Sequence, residues 1–312
     1  MIVEFAPAKI NLALHVVGQR PDGYHRLDTL IAFASIGDRL IIEKAETSDL
    51  RLTGPFATDL DPDADNLVVQ ARTLLTDRYW AGRTPLPAQR ILLEKNLPVA
   101  SGIGGGSADA AAAFRGLNLA WKLERKADAL ARDALPLGAD IPMCIAGRAA
   151  RVRGIGERID PIEPFPSLSA VLVNPGVSVP TPGVFRRLQR RKNVGLPAPV
   201  PVMSSADTLI DYLAGCRNDL EAPALAIAPE IGTALGALTT TGGCRLARMS
   251  GSGATCFALY DDDATAQAAA REVKKLEPTW WVRACRIEDR PALPDMADQA
   301  EPPSAEKTTV GQ

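Results

Sequence analysis

The sequence predicts a two-part fold mixing strands and helices, α+β (α/β), and three observations carry that expectation. The first 45 residues read as apolar strands separated by turns. Four glycines within residues 102–106 run directly into an alanine-rich helix former. Strand and helix patterns then resume around a proline-rich stretch from 161 to 201, so a second part follows the first. At 312 residues the chain has room for one large domain or two modest ones. We place the boundary between 155 and 165. Residues 1–158 are then an N-terminal domain and 159–290 a C-terminal one, while 291–312, rich in proline, alanine, serine and charge, is a disordered tail.

In chain order, segments 2–5, 12–17, 29–34 and 39–45 are strand-like, with turn chemistry at Arg20-Pro-Asp-Gly23. Segment 65–79 has leucine and valine at helical spacing, with Asp65 or Asn66 as cap. A short strand at 90–94 precedes the glycines, and the alanine run at 108–119 forms a helix after them. A further helix covers 126–135 and stops near Pro136 and Gly138. In the second half, 169–173 is a strand ending in the turn Asn174-Pro175-Gly176. Helices fit 205–214, 229–238 and 264–276, and strands fit 255–260 and 281–287.

Composition narrows the function. Thirty-five basic residues against 37 acidic ones give a net charge of -2, which provides no global field for nucleic acid or an anionic membrane. An anionic small molecule would need local arginines, lysines or backbone amides. Five cysteines without a CxxC pair, and only two histidines, give no zinc-ligand spacing and point to free thiols in a reducing compartment. Glu4, Lys9 and Asn11 interrupt any signal-peptide-like apolar run, so a cytoplasmic location is expected.

The most informative segment is Pro98-Val-Ala-Ser-Gly-Ile-Gly-Gly-Gly-Ser-Ala108. Gly102, Gly104, Gly105 and Gly106 let the backbone approach a ligand closely. The helix that follows offers free amides and a positive dipole end, which together suit a di- or triphosphate. Ser107 is placed to add a hydroxyl to a phosphate or a magnesium ion. A P-loop is excluded because no lysine follows these glycines, and the dinucleotide fingerprint GxGxxG is absent.

This segment resembles the ATP-binding motif of the GHMP kinases. The opening block Ala6-Pro-Ala-Lys-Ile-Asn-Leu12, the turn Arg20-Pro-Asp-Gly-Tyr-His25 and the late block Arg248-Met-Ser-Gly-Ser-Gly-Ala-Thr-Cys-Phe257 narrow the resemblance. They are similar to the branch of that family acting on 4-diphosphocytidyl-2-C-methyl-D-erythritol. Leu137-Gly-Ala-Asp-Ile-Pro142 and Pro180-Thr-Pro182 fit the same branch, so the likeness runs in order to about residue 287. One departure is Ala100-Ser101, where the family has glycine before a small residue. Were position 100 to need a positive φ, alanine would strain the loop by about 1 kcal/mol.

The resemblance implies a two-domain fold with an ATP-binding N-terminal domain, a C-terminal domain and a deep cleft between them. It implies Asp140 as general base, although an aspartate before Ile-Pro also suits a helix cap. Lys9 is implied as its electrostatic partner, steadying the charge of the transferring group. Asn11 shares the strand face of Lys9 and reaches the same ligand. Tyr24, His25 and Phe185 are implied to hold the cytosine by stacking and edge hydrogen bonds, with Thr181 touching substrate. The nucleotide is assigned to Asn66, Lys95, Pro98, Val99, Ala100, Ser101, Gly102, Ile103, Gly104, Gly105, Gly106, Ser107 and Ala108. ATP and magnesium are the expected cofactors, with no metal cage of the protein's own, in a monomer or weak homodimer. His15 receives no role, and Gly251 and Gly253 serve either as support for the first loop or as ligand contacts. Two rival readings are a homoserine- or mevalonate-type GHMP kinase, which has no need of an aromatic clamp, and a non-catalytic ligand sensor, which has no need of both Lys9 and Asp140.

Overall fold

The computed structural model describes residues 1–61, 66–81 and 87–291. The four short strands expected at the start are two long ones, β1 (Ile2–Gln19) and β2 (His25–Lys44), paired antiparallel across the 20–24 turn. Register shifts at Pro7/Lys9, Asn11/Ala13 and Val16/Gly18 explain the difference. Each bulge absorbs an extra residue and bends the strand, so sequence that looked like a break is carried inside the ladder. At 35–38 the glycine also allows close approach, because a Cβ on Gly37 would lie 2.3 Å from Ala6 O.

β3 (Asp49–Thr53), α1 (Leu67–Tyr79), β4 (Gln89–Glu94), α2 (Gly105–Ala120), α3 (Ala127–Ala134), α4 (Ile141–Ala146), β5 (Ala150–Gly154) and β6 (Arg158–Pro161) complete the first half. The second half holds β7 (Leu168–Asn174), α5 (Thr181–Arg186), α6 (Ala206–Ala214), α7 (Glu221–Leu225), α8 (Glu230–Thr240), β8 (Leu246–Met249), β9 (Cys256–Tyr260), α9 (Asp263–Leu276) and β10 (Trp281–Glu288). Sequence reading anticipated the long elements and missed the short ones. α4 and α5 each carry a proline in the first turn, which reads as a loop although that position tolerates it. Of the two cap candidates for α1, Asn66 accepts from Val68 N–H, and Asp65 lies outside the described residues. The expected tail beyond 291 also lies outside them.

The strands form a sheet ordered β3-β4-β2-β10-β7-β9-β8, with β1 and β5 pairing β2 and β6 pairing β5. The proposed boundary at 155–165 falls on β6 and the connection to β7, yet β10 returns to pair both β7 and β2. One apolar core lies in the first half, where Ala110, Ala111, Ala112 and Ala113 let α2 pack close to the sheet. A second gathers α8 and α9 residues such as Ala234 and Val273 over β7 and β9. A third joins the halves, bringing Ile10, Leu30 and Ile103 against Leu172, Phe257 and Ile287. The five cysteines are free thiols. Among the described residues no helix is long and apolar enough to cross a membrane.

The outer edge of β1 is sealed by the segment 217–219. Leu14 N–H donates to Arg217 O and Asp219 N–H to Leu14 O. His15, fully buried, accepts from Arg217 N–H at Nε2 (3.1 Å) and donates from Nδ1 to Val194 O (3.1 Å), which explains it as a satisfied core histidine. Burial first and Arg217 second push its imidazole below the usual range. The unfolded chain therefore takes up a proton below about pH 6.5 that folded His15 resists, and stability falls as pH drops through that value. His25, also shifted down by burial, adds to the same slope. Denaturant midpoints measured against pH are expected to fall in this window, and His15→Gln should reduce the slope to what His25 contributes. An unchanged slope would show that His15 does not titrate as placed.

Candidate active site

A cavity of about 1030 Å³ opens between the glycine loop, β1, residues 138–140, the 22–25 turn, α5 and residues 251–252. It contains almost every site residue expected from sequence, drawn from both halves. A smaller cavity of about 480 Å³, bordered by Arg20, Arg26, Arg153 and Arg158, contains none of them.

The loop 98–108 is built as its glycines predict. Gly102 (φ 77) and Gly104 (φ 66) take left-handed conformations, and Gly104 is the N-cap of α2. The helix therefore starts at Gly105, three residues earlier than its alanine run. The first-turn amides of Gly105, Gly106 and Ser107 face the cavity end without helical acceptors. Ala100 also has positive φ (51°), so the departure at this position does carry strain. Not all of the loop faces the cavity. Ile103 and Ala108 are core residues that anchor the loop from behind, and the Ser101 hydroxyl donates to Pro98 O within the turn.

The second glycine loop supports the first. A Cβ on Gly102 would lie 2.6 Å from Gly253 O, and one on Gly251 would lie 2.6 Å from Gly102 O. Ser250 Oγ donates to Gly102 O, and Thr255 N–H donates to Ser101 O. Gly251 and Ser252 also reach the cavity wall, so this loop supports and lines at once.

Lys9 and Asp140 meet. Lys9 Nζ donates to Asp140 Oδ2 at 2.8 Å across 131 residues of sequence. Lys9 is buried, whereas the Asp140 side chain is 45% exposed toward the cavity. Asp140 holds the N-cap position of α4 but makes no capping bond, so its carboxylate is turned to Lys9. Arg115 fixes the geometry behind them. Its guanidinium donates to Glu4 Oε2, to Phe5 O and to Cys144 O, tying α2, β1 and α4 together. Asn11 lies on the Lys9 face as expected, with Nδ2 on Thr29 Oγ1 and a buried Oδ1 that has no partner.

Lys95 borders the cavity, but its ammonium is held in a buried pair of carboxylates, Asp38 and Asp109, beneath Gly105. Burial alone would push the ammonium down, but Asp109 and Asp38 outweigh it and hold the lysine protonated above its usual range. Asp38 also accepts from the N–H groups of Asn96 and Leu97. This cluster fixes β4's exit against the first turn of α2. Sequence reading gave no role to Asp38 or Asp109.

At the other end, His25 stacks on Phe185 with ring centroids 4.8 Å apart and planes at 24°. That spacing leaves no room for a base between these two rings, so an incoming base must use another face of Phe185. Tyr24 is 61% exposed at the rim, and His25 Nε2 is buried without a partner. Burial, then Arg191, push the His25 imidazole below its usual range, which keeps it neutral at pH 7. Thr181 shares a hydrogen bond of 2.8 Å with Ser252, joining α5 to the second glycine loop.

Comparison with known proteins decides the family. The family models described as GHMP kinases N terminal domain and GHMP kinases C terminal match residues 66–148 and 204–278. A 4-diphosphocytidyl-2-C-methyl-D-erythritol kinase of Cereibacter sphaeroides is 50% identical over 288 residues, 92% of this chain and 99% of its own. The chain belongs to the 4-diphosphocytidyl-2-C-methyl-D-erythritol kinases, a branch of the GHMP kinases. A relative of the same name from Agrobacterium fabrum is 49% identical over 91% of this chain and 95% of its own. A solved 4-(cytidine 5'-diphospho)-2C-methyl-D-erythritol kinase superposes with a TM-score of 0.75 at 34% identity, covering 92% of this chain and 99% of that one. Homoserine kinase of Cytophaga hutchinsonii, at 19% identity and a TM-score of 0.66 over 94% and 96% of the two chains, shares the fold.

As a member of this kinase family the chain is an ATP-dependent small-molecule kinase. The two family models cover Asn66, the glycine loop 98–108 and the late glycine block, and they leave out Lys9, Tyr24, His25 and Phe185. Beyond Asp38, sequence reading also missed Arg186 and Arg191 at the aromatic end. Scattered exposed arginines carry no local signature, and only the fold shows which of them reach the cavity.

Two stability measurements check this description. Asp38→Ala leaves Lys95 half-paired and two backbone N–H groups without an acceptor, so it should cost the kinase about 3–5 kcal/mol by denaturant titration. A loss below about 1 kcal/mol would mean the buried cluster is not as described. Ala100→Gly removes left-handed strain of about 1–2 kcal/mol and adds backbone entropy to the unfolded chain of about 0.4–1 kcal/mol. The net expected change runs from about zero to a gain of about 1.6 kcal/mol, and a clear loss would place position 100 in an unstrained conformation.

Proposed function

We propose that this kinase transfers the γ-phosphoryl group of ATP to the 2-hydroxyl of 4-diphosphocytidyl-2-C-methyl-D-erythritol, a step of non-mevalonate isoprenoid synthesis, by direct in-line displacement. The observation that carries this reading is the Lys9–Asp140 contact, placed between an amide-rich glycine loop and an aromatic cluster in one cavity. Phosphoryl transfer asks the protein mainly for positioning and charge stabilisation, plus one group to accept the hydroxyl proton.

Asp140 takes the proton of the acceptor hydroxyl as its oxygen attacks the γ-phosphorus, and the bond to the β-phosphate oxygen breaks to release ADP. Lys9 holds the Asp140 carboxylate in place and stabilises negative charge on the transferring group. The free amides of Gly105, Gly106 and Ser107, with the dipole of α2, receive the nucleotide phosphates. Asn66 and the loop 98–102 border the same end. Asn11 uses its unpartnered Oδ1 to accept from a substrate hydroxyl. The base stacks between Tyr24 and the accessible face of Phe185. Neutral His25, a donor at one ring nitrogen and an acceptor at the other, reads its edge. Residues 1–158 supply the nucleotide end and the Lys9–Asp140 pair, and 159–290 supply Thr181, Phe185 and the supporting loop.

Among the described residues no cluster of histidine, cysteine and carboxylates would hold a metal ion by itself. The oxygen donors at the glycine loop, Ser107 Oγ and the unpartnered Asp109 Oδ1, fit magnesium bound jointly with ATP phosphates. When bound there the ion supplies charge neutralisation for the phosphates.

The test is ADP release with 4-diphosphocytidyl-2-C-methyl-D-erythritol, homoserine or mevalonate as acceptor. Turnover is expected with the cytidyl acceptor alone. Asp140→Asn should lower kcat by roughly 10²–10⁴ while leaving ATP affinity unchanged. Near-normal turnover in that variant removes Asp140 from the base role, and turnover on homoserine or mevalonate reassigns the substrate.

A further inference from the structure

Four cationic side chains border the main cavity: Lys9, Lys95, Arg186 and Arg191. The two lysines are already matched, Lys9 by Asp140 and Lys95 by Asp38 and Asp109. The two arginines are not. Arg191 makes a hydrogen bond of 3.1 Å to the neutral Gln19 amide oxygen, and Arg186 has no polar partner among the described residues. The acidic residues in the cavity wall are taken by other cations, Asp22 by Arg20, Asp140 by Lys9 and Asp109 by Lys95. A cavity that neutralises its cations at one end therefore leaves two guanidiniums unmatched at the other.

Their location is specific. Arg186 follows the stacked Phe185 directly on α5. Its Nη2 lies 3.9 Å from where a Cβ on Gly183 would sit, so the guanidinium turns back along the helix over Gly183. Arg191 borders the same cavity, close enough for its charge to act on His25. A ligand with its base on Phe185 and its acceptor hydroxyl at Asp140 must span the cavity between them. The stretch of such a ligand next to the rings lies in the part of the cavity that Arg186 and Arg191 border.

We propose that Arg186 and Arg191 grip the diphosphate of a nucleoside-diphosphate-linked alcohol, and so select it over uncharged acceptors of similar length. This rests on the proposed function, because it takes the base to lie on the aromatic cluster. Guanidinium suits the task, since its planar fork donates two parallel hydrogen bonds to phosphate oxygens. With an overall charge of -2, the chain has only such local cations to attract a dianion. ATP lies at the far end on the glycine loop, so the two arginines should not affect its binding.

The experiment is calorimetric titration of the full chain with CDP, CMP, cytidine and an unreactive ATP analogue. Wild type is expected to bind CDP more tightly than cytidine. Arg186→Ala and Arg191→Ala should each weaken CDP by roughly tenfold and leave cytidine and the ATP analogue nearly unchanged. Arg186→Lys should recover part of the loss, because charge returns without the fork. In turnover, both alanine variants should raise KM for the cytidyl acceptor with little change in kcat. Equal wild-type affinity for CDP and cytidine, full CDP affinity in the double alanine variant, or a matching loss of ATP-analogue affinity would each overturn the assignment. Wild type that binds the ATP analogue but neither CDP nor cytidine would instead remove the aromatic clamp, and this inference with it.

Discussion

Lys9 sits where three distant segments of the chain meet. Its backbone N–H donates to Ile103 O at 2.9 Å, which fixes β1 to the glycine loop. Its side chain passes beneath Gly104, where an added Cβ would lie 3.1 Å from Lys9 Cε. Its ammonium ends at Asp140, 2.8 Å away. A buried ammonium must be paired, and its route to this partner runs under a residue without a side chain. The loop's left-handed glycine, the strand bulge after Pro7 and the short helix behind Asp140 are therefore one constraint seen from three sides.

The rest of the molecule holds that junction still. Arg115 joins the middle of α2 to β1 and to α4, so the two ends of the Lys9–Asp140 contact belong to one rigid unit. The Lys95 cluster does the same for the first turn of α2. The second glycine loop presses its backbone against the first so closely that neither Gly102 nor Gly251 has space for a methyl group. Such contacts are made without long side chains, which lose rotamer freedom on ordering. The Lys9–Asp140 geometry is preorganised in backbone and in buried ion pairs, with the exposed Asp140 face open to the cavity.

The sequence reading was strongest where chemistry is local. The glycines, a cap at residue 65 or 66 and the alanine helix were legible because turn conformation, capping and spacing act within a few residues, whereas Lys9 and Asp140 were picked out by the family resemblance. It was weakest where meaning depends on tertiary placement. Bulges joined the early strands because cross-strand register, not composition, decides whether a strand ends. α4 and α5 were hidden by first-turn prolines. Ile103 and Ala108 sit inside the phosphate motif and yet face the core. Lys95 reads as a cavity lysine, and only the placement of Asp38 and Asp109, 57 and 14 residues away, shows that its charge is already engaged. The stack of His25 on Phe185, rather than an open pair of rings, could be learned only from the fold.

The central claim is that one cavity brings nucleotide phosphates and an acceptor hydroxyl together at Asp140. The most direct measurement is a crystal structure of the kinase with an unreactive ATP analogue and 4-diphosphocytidyl-2-C-methyl-D-erythritol. The account predicts the nucleotide phosphates on the amides of Gly105 to Ser107 and the acceptor hydroxyl within hydrogen-bond reach of Asp140, about 2.6–3.2 Å. It also predicts the base on Phe185. Phosphates bound away from that helix end, or an acceptor hydroxyl nearer to another base than to Asp140, would contradict it.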